Sequence, residues 1–326
     1  GGNLSSGLGV GGRERTLGVF GQDIIRFTPR WLLTVGLRGD RWENYDALSS
    51  SRPLVPQPGA VTTTVFPDRT ETAFSPRVSL LHKLTENVSL FASGTRAFRA
   101  PTLNELYRSF RVGNVLTLAN INLQAERLTG AEAGANVSVL NNRVNIRGLF
   151  FWADVTRPVA NVTLQVTPSL ITRQRQNLGR TQSPGIEVEA GWRLTNSLSL
   201  SGGYQFVAAT IVSFPANTAL EGLSLPQTPR HVFTFQARYS NPRLLTVGVQ
   251  GRASSHQFDD DQNLLSLDPY FTLDAIVSRR LGSMFEVFGA FENLTGQRYE
   301  VGKTPVTTLG PPFLARAGIR FSLGKR

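Results

Sequence analysis

The sequence contains no cysteine and a single methionine in 326 residues. A disulfide framework, a thiolate nucleophile and a cysteine-ligated metal are therefore excluded. Long apolar runs are missing as well. No window approaches the roughly 18–20 continuous apolar residues that a transmembrane helix needs, so a helical membrane protein is excluded. The three histidines, His82, His231 and His256, are too few and too dispersed for a local metal motif. Clustered basic residues are scarce even though the net charge is +11, because the 34 Lys and Arg are scattered along the chain, with one compact group from Arg173 to Arg180. A nucleic-acid partner would call for a basic stripe or helix, and none is present. Dispersed positive charge suits a surface facing anionic lipid and lipopolysaccharide.

What the sequence does have is alternation with period two. Leu33, Val35 and Leu37 alternate with Thr34, Gly36 and Arg38, and Val144, Ile146, Phe150 and Trp152 alternate with Asn145 and Arg147. Leu198, Leu200, Tyr204 and Phe206 alternate with Ser199, Ser201 and Gln205, and Ile319, Phe321 and Leu323 with Arg320 and Ser322. About thirteen strands are predicted, near 15–28, 31–46, 69–84, 87–98, 124–140, 143–156, 178–194, 197–212, 229–240, 243–258, 269–281, 284–294 and 314–323.

Their connections alternate strictly between short and long. Tight polar turns stand at 28–30, 84–87, 140–143, 194–197, 240–243 and 281–284, and long loops at about 47–68, 99–123, 157–177, 213–228, 259–268 and 295–313. Soluble sandwiches have no reason to gather every tight turn at one end. Antiparallel outer-membrane barrels do, and closing the sheet satisfies every backbone polar group in lipid. The fold class read from the pattern is all-β, an antiparallel transmembrane β-barrel in the cell outer membrane. Phe27, Trp31, Trp192, Tyr239 and Phe285 near the tight turns, with Trp42, Tyr45, Trp152 and Tyr270 nearer the long loops, read as two aromatic girdles. Residues 1–12 read as a flexible terminus or truncation point, and 13–326 as barrel.

Catalytic readings find little support. Ser254, Ser255 and His256 are adjacent, but neighbouring strand residues point to opposite faces. Gly7 to Gly12 matches G-x-G-x-x-G without a preceding strand or following helix. Asp259, Asp260 and Asp261 read either as a cation site or, more simply, as a solvated loop tip. No enzyme, no resident metal and no cofactor are expected.

Residues 75–107, SPRVSLLHKLTENVSLFASGTRAFRAPTLNELY, resemble the signature region of TonB-dependent outer-membrane receptors, with Arg99, Pro101, Glu105 and Tyr107 among the landmarks. Asn120 to Glu126 resembles the family's Asn-Pro-x-Leu-x-x-Glu stretch, with Ile121 in place of the proline. Asn177 and Gly179, followed by Gly185 and Glu187, resemble its Asn-x-Gly and Gly-x-Glu-x-Glu pair. Pro229 with Arg230, Asn293 with Leu294, and Gly310 resemble the last three landmarks. The likeness covers nearly the whole chain, in order.

The resemblance implies about thirteen C-terminal strands of a 22-stranded barrel. The plug domain of the family, which couples to the TonB complex through an N-terminal segment, has no counterpart here. The family also tends to end on an aromatic residue, whereas Phe321 is followed by Ser-Leu-Gly-Lys-Arg. It implies import of a scarce large ligand, a ferric siderophore first, with cobalamin or haem as other choices, by a monomer. In a site of this kind Tyr107, Arg108, Phe110 and Arg111 in one loop, and Arg173 and Arg175 in another, would offer cations and aromatic faces to an anionic chelate. A passive porin or a surface-binding barrel without active transport is the alternative.

Overall fold

The computed structural model describes residues 6–55, 58–241, 243–282 and 284–322. Thirteen strands follow one another in a single antiparallel sheet, each bonded to the next in chain order. They are β1 (Ser6–Thr28), β2 (Trp31–Pro53), β3 (Arg69–Lys83), β4 (Val88–Arg99), β5 (Glu126–Val139), β6 (Val144–Thr156) and β7 (Arg180–Arg193). The sheet continues through β8 (Leu198–Val207), β9 (His231–Ser240), β10 (Thr246–Ser254), β11 (Tyr270–Leu281), β12 (Phe285–Glu292) and β13 (Leu314–Phe321). All thirteen coincide with predicted strands. The parts of the predictions that fall on residues 1–5 and 56–57, Pro242, Ser283 and residues 323–326, including the start of the flexible terminus, Leu323 and the non-aromatic end, lie outside the described residues.

Register gives each face its character. One row across the sheet runs Val144, Trp192, Leu200, Ala237 and Val249. The neighbouring row, on the opposite face, runs Asn145, Gly191, Ser201, Gln236, Gln250 and Asp274. The second row lines a concave space of about 860 Å³ on the inner wall. On the other face Ile146, Phe150, Ile186, Phe233 and Ile319 are exposed, which is stable only where lipid replaces water.

Three expectations need correction. Residues 6–12 are not a flexible terminus: they are strand, paired with Leu48–Pro53 across a register shift between Gly11 and Arg13. Strand 197–212 is interrupted. The β7–β8 ladder stops at Gly185 and Val207 and resumes with Thr210 opposite Gln182, leaving a gap at Pro184, which has no N–H to donate. The upper girdle also loses members. Trp42 is 2% exposed and faces inward beneath the loops, on the same face of β2 as Asp40 and Asn44, and Tyr270 stacks on the loop residue Tyr299 at 4.3 Å. An aromatic near the rim serves lipid or loop core according to its parity in the strand, and Trp42 has the inward parity.

Candidate ligand-binding canopy

The long loops fold into a canopy over one end of the wall, and its geometry begins at the stretch Arg99 to Tyr107. Thr102 caps the short helix Leu103–Tyr107 by accepting from Glu105 N, while its own N–H donates to Glu105 Oε2 at 2.8 Å. This reciprocal capping explains how five residues hold a helical turn. Arg99, the last residue of β4, then ties the turn to the next strand, pairing with Glu105 at 3.0 Å and with Glu126 at 2.6 Å. Burial acts to raise the Glu105 carboxyl, but the Arg99 guanidinium and the Thr102 N–H outweigh it and hold the group below the usual range. Pro101 is buried at the start of the turn, where it ends β4 pairing.

The helix drives Leu106 and Tyr107 into a small core with Trp42, Ala47 and Leu123. The Tyr107 hydroxyl donates to buried Asn44 Oδ1, and its ring stacks on Phe66 at 4.9 Å. Burial pushes the phenol upward. Tyr107 is thus only 7% exposed, on the underside of the canopy.

The other candidates share one loop sheet. Its strands run in the order Val159–Val166, Ile171–Asn177, Val115–Leu118 and Phe110–Val112, so loops far apart in sequence lie side by side. Phe110 and Arg173 both flank Thr117 in register. Arg175 is already engaged: it donates to Asn104 O at 2.6 Å and lies over the Phe110 ring at 5.3 Å. Burial draws its pKa down from the usual arginine value. Arg108 and Arg111 are exposed, with Arg111 Nε donating to Gly113 O at 2.9 Å. Arg173 lines a cavity of about 400 Å³ together with Asn161, Gln227, Asp261 and Thr304.

The aspartate run is neither a solvated tip nor an open cation site. Asp259 accepts from Gln227 Nε2, Lys303 N, Thr304 N and Thr304 Oγ1, all at 2.8–2.9 Å. Asp261 accepts from Thr163 N at 2.8 Å and Thr163 Oγ1 at 2.6 Å, and Asp260 from Leu265 N at 2.7 Å. The three carboxylates knit four loops together. Reasoning from sequence missed this function because the partners lie 32, 45 and 98 residues away.

The remaining landmarks act in the same way. Asn177 accepts from Gln124 N at 2.8 Å and donates to Arg157 O at 2.7 Å, and the Gly179 carbonyl accepts from Arg157 N. Asn293 donates to Gln297 O at 2.9 Å and Pro311 O at 3.0 Å, while Leu294 N donates to Leu273 O. Pro229 and Arg230 lead into β9, where the Arg230 carbonyl accepts from Val207 N. A side chain at Gly185 would strike the Phe151 ring, and one at Gly310 the Tyr299 ring, so both positions require glycine. Glu187 stands mid-strand in β7, opposite Leu149 and Gln205 on the inner face.

A continuous thirteen-strand wall, with short turns at one end and knitted loops at the other, is also what comparison finds. The family model described as TonB dependent receptor-like, beta-barrel matches residues 2–294. The chain belongs to the TonB-dependent receptor family. It is accordingly an outer-membrane protein of a Gram-negative bacterium. The probable TonB-dependent receptor BfrD of Bordetella pertussis is 24% identical over 306 residues, covering 90% of this chain and 39% of that protein. The catecholate siderophore receptor Fiu of Escherichia coli K12 is 23% identical over 329 residues, covering 93% and 42%. The crystal structure of the siderophore receptor PiuA from Acinetobacter baumannii aligns with a TM-score of 0.72 at 20% identity, over 94% of this chain and 43% of that one. This TonB-dependent receptor chain spans less than half the length of each of these three proteins.

Proposed function

We propose that this chain supplies the outer half of a capture site and much of the passage for energised import of a large anionic iron chelate, a ferric siderophore. The observation that carries the reading is the canopy sheet, which brings Phe110, Arg111 and Arg173 together from two loops, with exposed Arg108 just ahead of it in the chain, above a polar inner wall. Guanidinium groups and an exposed aromatic edge are the chemistry that an anionic chelate with aromatic ligands would meet. Tyr107 and Arg175 contribute by holding that surface in place. Energy would come from the TonB complex through an N-terminal plug of the full-length protein.

The test is uptake of iron-55 chelates, catecholate and hydroxamate, by cells carrying the full-length protein. Uptake that saturates and stops when the proton gradient is collapsed supports the reading. Uptake indifferent to the gradient favours a passive pore, and binding without uptake favours a surface receptor. Replacing both Arg108 and Arg111 with Ala is expected to weaken chelate binding about tenfold, or ~1.4 kcal/mol, with barrel assembly intact. Unchanged affinity would remove these two residues from the site.

A further inference from the structure

The outer surface of the wall changes character at the loop end of β2–β5. Along the strands it is apolar, with Leu37, Phe74, Val78 and Leu90 exposed. Arg41 has the same parity as Leu37, and Arg96 the same parity as Leu90, so both arginines stand on this outer face just above the apolar band. Arg41 is in register with Thr72 of β3, and Arg96 with Thr129 of β5. Arg127, two residues nearer the loops on β5, donates from Nη2 to Thr72 O at 2.9 Å. That bond joins the two groups across the opening where the β3–β4 ladder stops, at Arg77 and Thr95.

The three arginines are unequally neutralised. Arg127 pairs with Glu71 at 3.2 Å. Arg41 donates from Nε to Glu43 Oε1 at 2.7 Å, but it shares that carboxylate with Arg15. Arg96 is exposed and, among the described residues, has neither an ion pair nor a side-chain hydrogen bond. Each of β2–β5 has both of its sheet neighbours in place, and this face meets the membrane rather than the lumen. The free guanidinium of Arg96 is therefore waiting neither for another strand nor for anything inside the barrel. The other half of the wall differs at the same end. There the outward positions of β8–β13 are Phe206, His231, Ala253, Phe271, Phe291 and Ala315, with no lysine or arginine among them.

Cations set directly over an apolar band fit an amphiphile with an anionic head, and a membrane supplies one in its phosphorylated lipids. Guanidinium forks match phosphate oxygens, and the hydroxyls of Thr72 and Thr129 stand beside them as further donors. Arg41 and Arg96 are separated by two strand spacings, at least about 10 Å, which suits two phosphates better than one. We propose that Arg41, Arg96 and Arg127, with Thr72 and Thr129, form a binding site for the diphosphorylated headgroup of an outer-leaflet lipid, whose acyl chains lie on Leu37, Phe74 and Leu90. The site is confined to one sector of the wall instead of running along its whole rim. It uses none of the chelate-binding candidates and does not depend on what the receptor imports.

The experiment titrates the full-length protein, extracted from outer membranes and delipidated in detergent, with fluorescent diphosphoryl lipid A. Unlabelled diphosphoryl lipid A, its dephosphorylated counterpart and inorganic phosphate serve as competitors. Saturable binding is expected, with the dephosphorylated lipid competing at least tenfold more weakly and millimolar inorganic phosphate not at all. Arg41→Gln and Arg96→Gln should each weaken binding about fivefold, the worth of one cation near an anionic lipid surface, and the double variant more than tenfold. Arg96→Lys should lose less than Arg96→Gln. Arg279→Gln should change nothing: Arg279 also faces outward, in the row of Val287 and Ile319, but at the tight-turn end. Heat-modifiable gel mobility confirms that each variant has formed a barrel. Equal competition by the dephosphorylated lipid would make the contact apolar only, and displacement by millimolar phosphate would make it an anion site without lipid. Unchanged affinity in the double variant would put the lipid elsewhere. Each of these three results overturns the proposal.

Discussion

The canopy and the wall obey opposite rules. The buried apolar side chains, from Trp42 and Leu106 to Ile211, Phe214 and Leu267, lie in or directly beneath the canopy. Along the wall the large apolar side chains are exposed instead, Leu17 at 65%, Phe150 at 52% and Ile319 at 71% among them. The difference shows one chain meeting two solvents. In water the loops need a core, a capped helix and hydrogen-bonded carboxylates, as any small soluble domain does. In lipid the strands need only closed backbone pairing and an apolar outer face.

The sharpest way to break the canopy without touching the wall is at Asp259. Asp259→Ala would leave Lys303 N and Thr304 N without their acceptor inside a packed site, at about 4 kcal/mol for two orphaned donors and a lost charged partner. Hydrogen exchange in residues 295–313 should accelerate strongly while exchange in the strands stays slow. Equal acceleration in both would mean that canopy and wall are one cooperative unit. Protonation is a milder form of the same break. Burial acts to raise this carboxyl, but the bonds from Gln227, Lys303 and Thr304 prevail and hold it below its usual 3.8. A depressed carboxylate stabilises the fold above its unfolded value and loses that contribution as pH falls through the folded value. Canopy protection should therefore be flat from pH 7 to about 5 and decline only below about pH 4.

The wall is best broken from outside. Phe150→Arg places a charge on the lipid face near the middle of β6, at about 2–4 kcal/mol by analogy with other barrels. The inward-facing Ser201→Arg should cost well under that, because the lumen side is polar. Urea titration of the full-length protein refolded into bilayers measures both. Equal costs would show that the face assignment from register is wrong.

The two regions also differ in how far the sequence exposes them. The wall was legible because its physics is local: parity within a strand and the length of a connection are properties of a few neighbouring residues, and all thirteen strands were found. The ladder gap at Pro184 was missed because the missing N–H acts on the next strand. In the canopy only the framework was legible. Arg99, Glu105, Asn177 and Asn293 were recognisable as landmarks, but their work as loop ties depends on partners such as Glu126, Gln124 and Pro311 in other loops or strands. The Asp259–Asp261 run looked like an exposed tip because a short run of charge has no local sign of the acceptors and donors that will surround it. Trp42 was misplaced, and the burial of Tyr107 was not foreseen, for a related reason, since an aromatic near a rim is ambiguous until its face and neighbours are known.

Tyr107→Phe gives the smallest effect and separates packing from polar tying within the canopy. The ring would keep its place against Trp42, Leu106 and Phe66, so the loss is confined to the hydroxyl. Asn44 Oδ1, buried with its residue at 0% exposure, would then lose that donor, while its Nδ2 continues to donate to Arg13 O at 3.1 Å. A cost of about 1–2 kcal/mol follows from leaving one buried acceptor unsatisfied. It should appear as faster exchange in the helix Leu103–Tyr107 and the adjoining part of β2, with chelate affinity unchanged because the hydroxyl points away from the ligand-facing side. Loss of affinity equal to that of the Arg108 and Arg111 replacement would instead make Tyr107 a ligand contact, and would require the canopy to open before it binds.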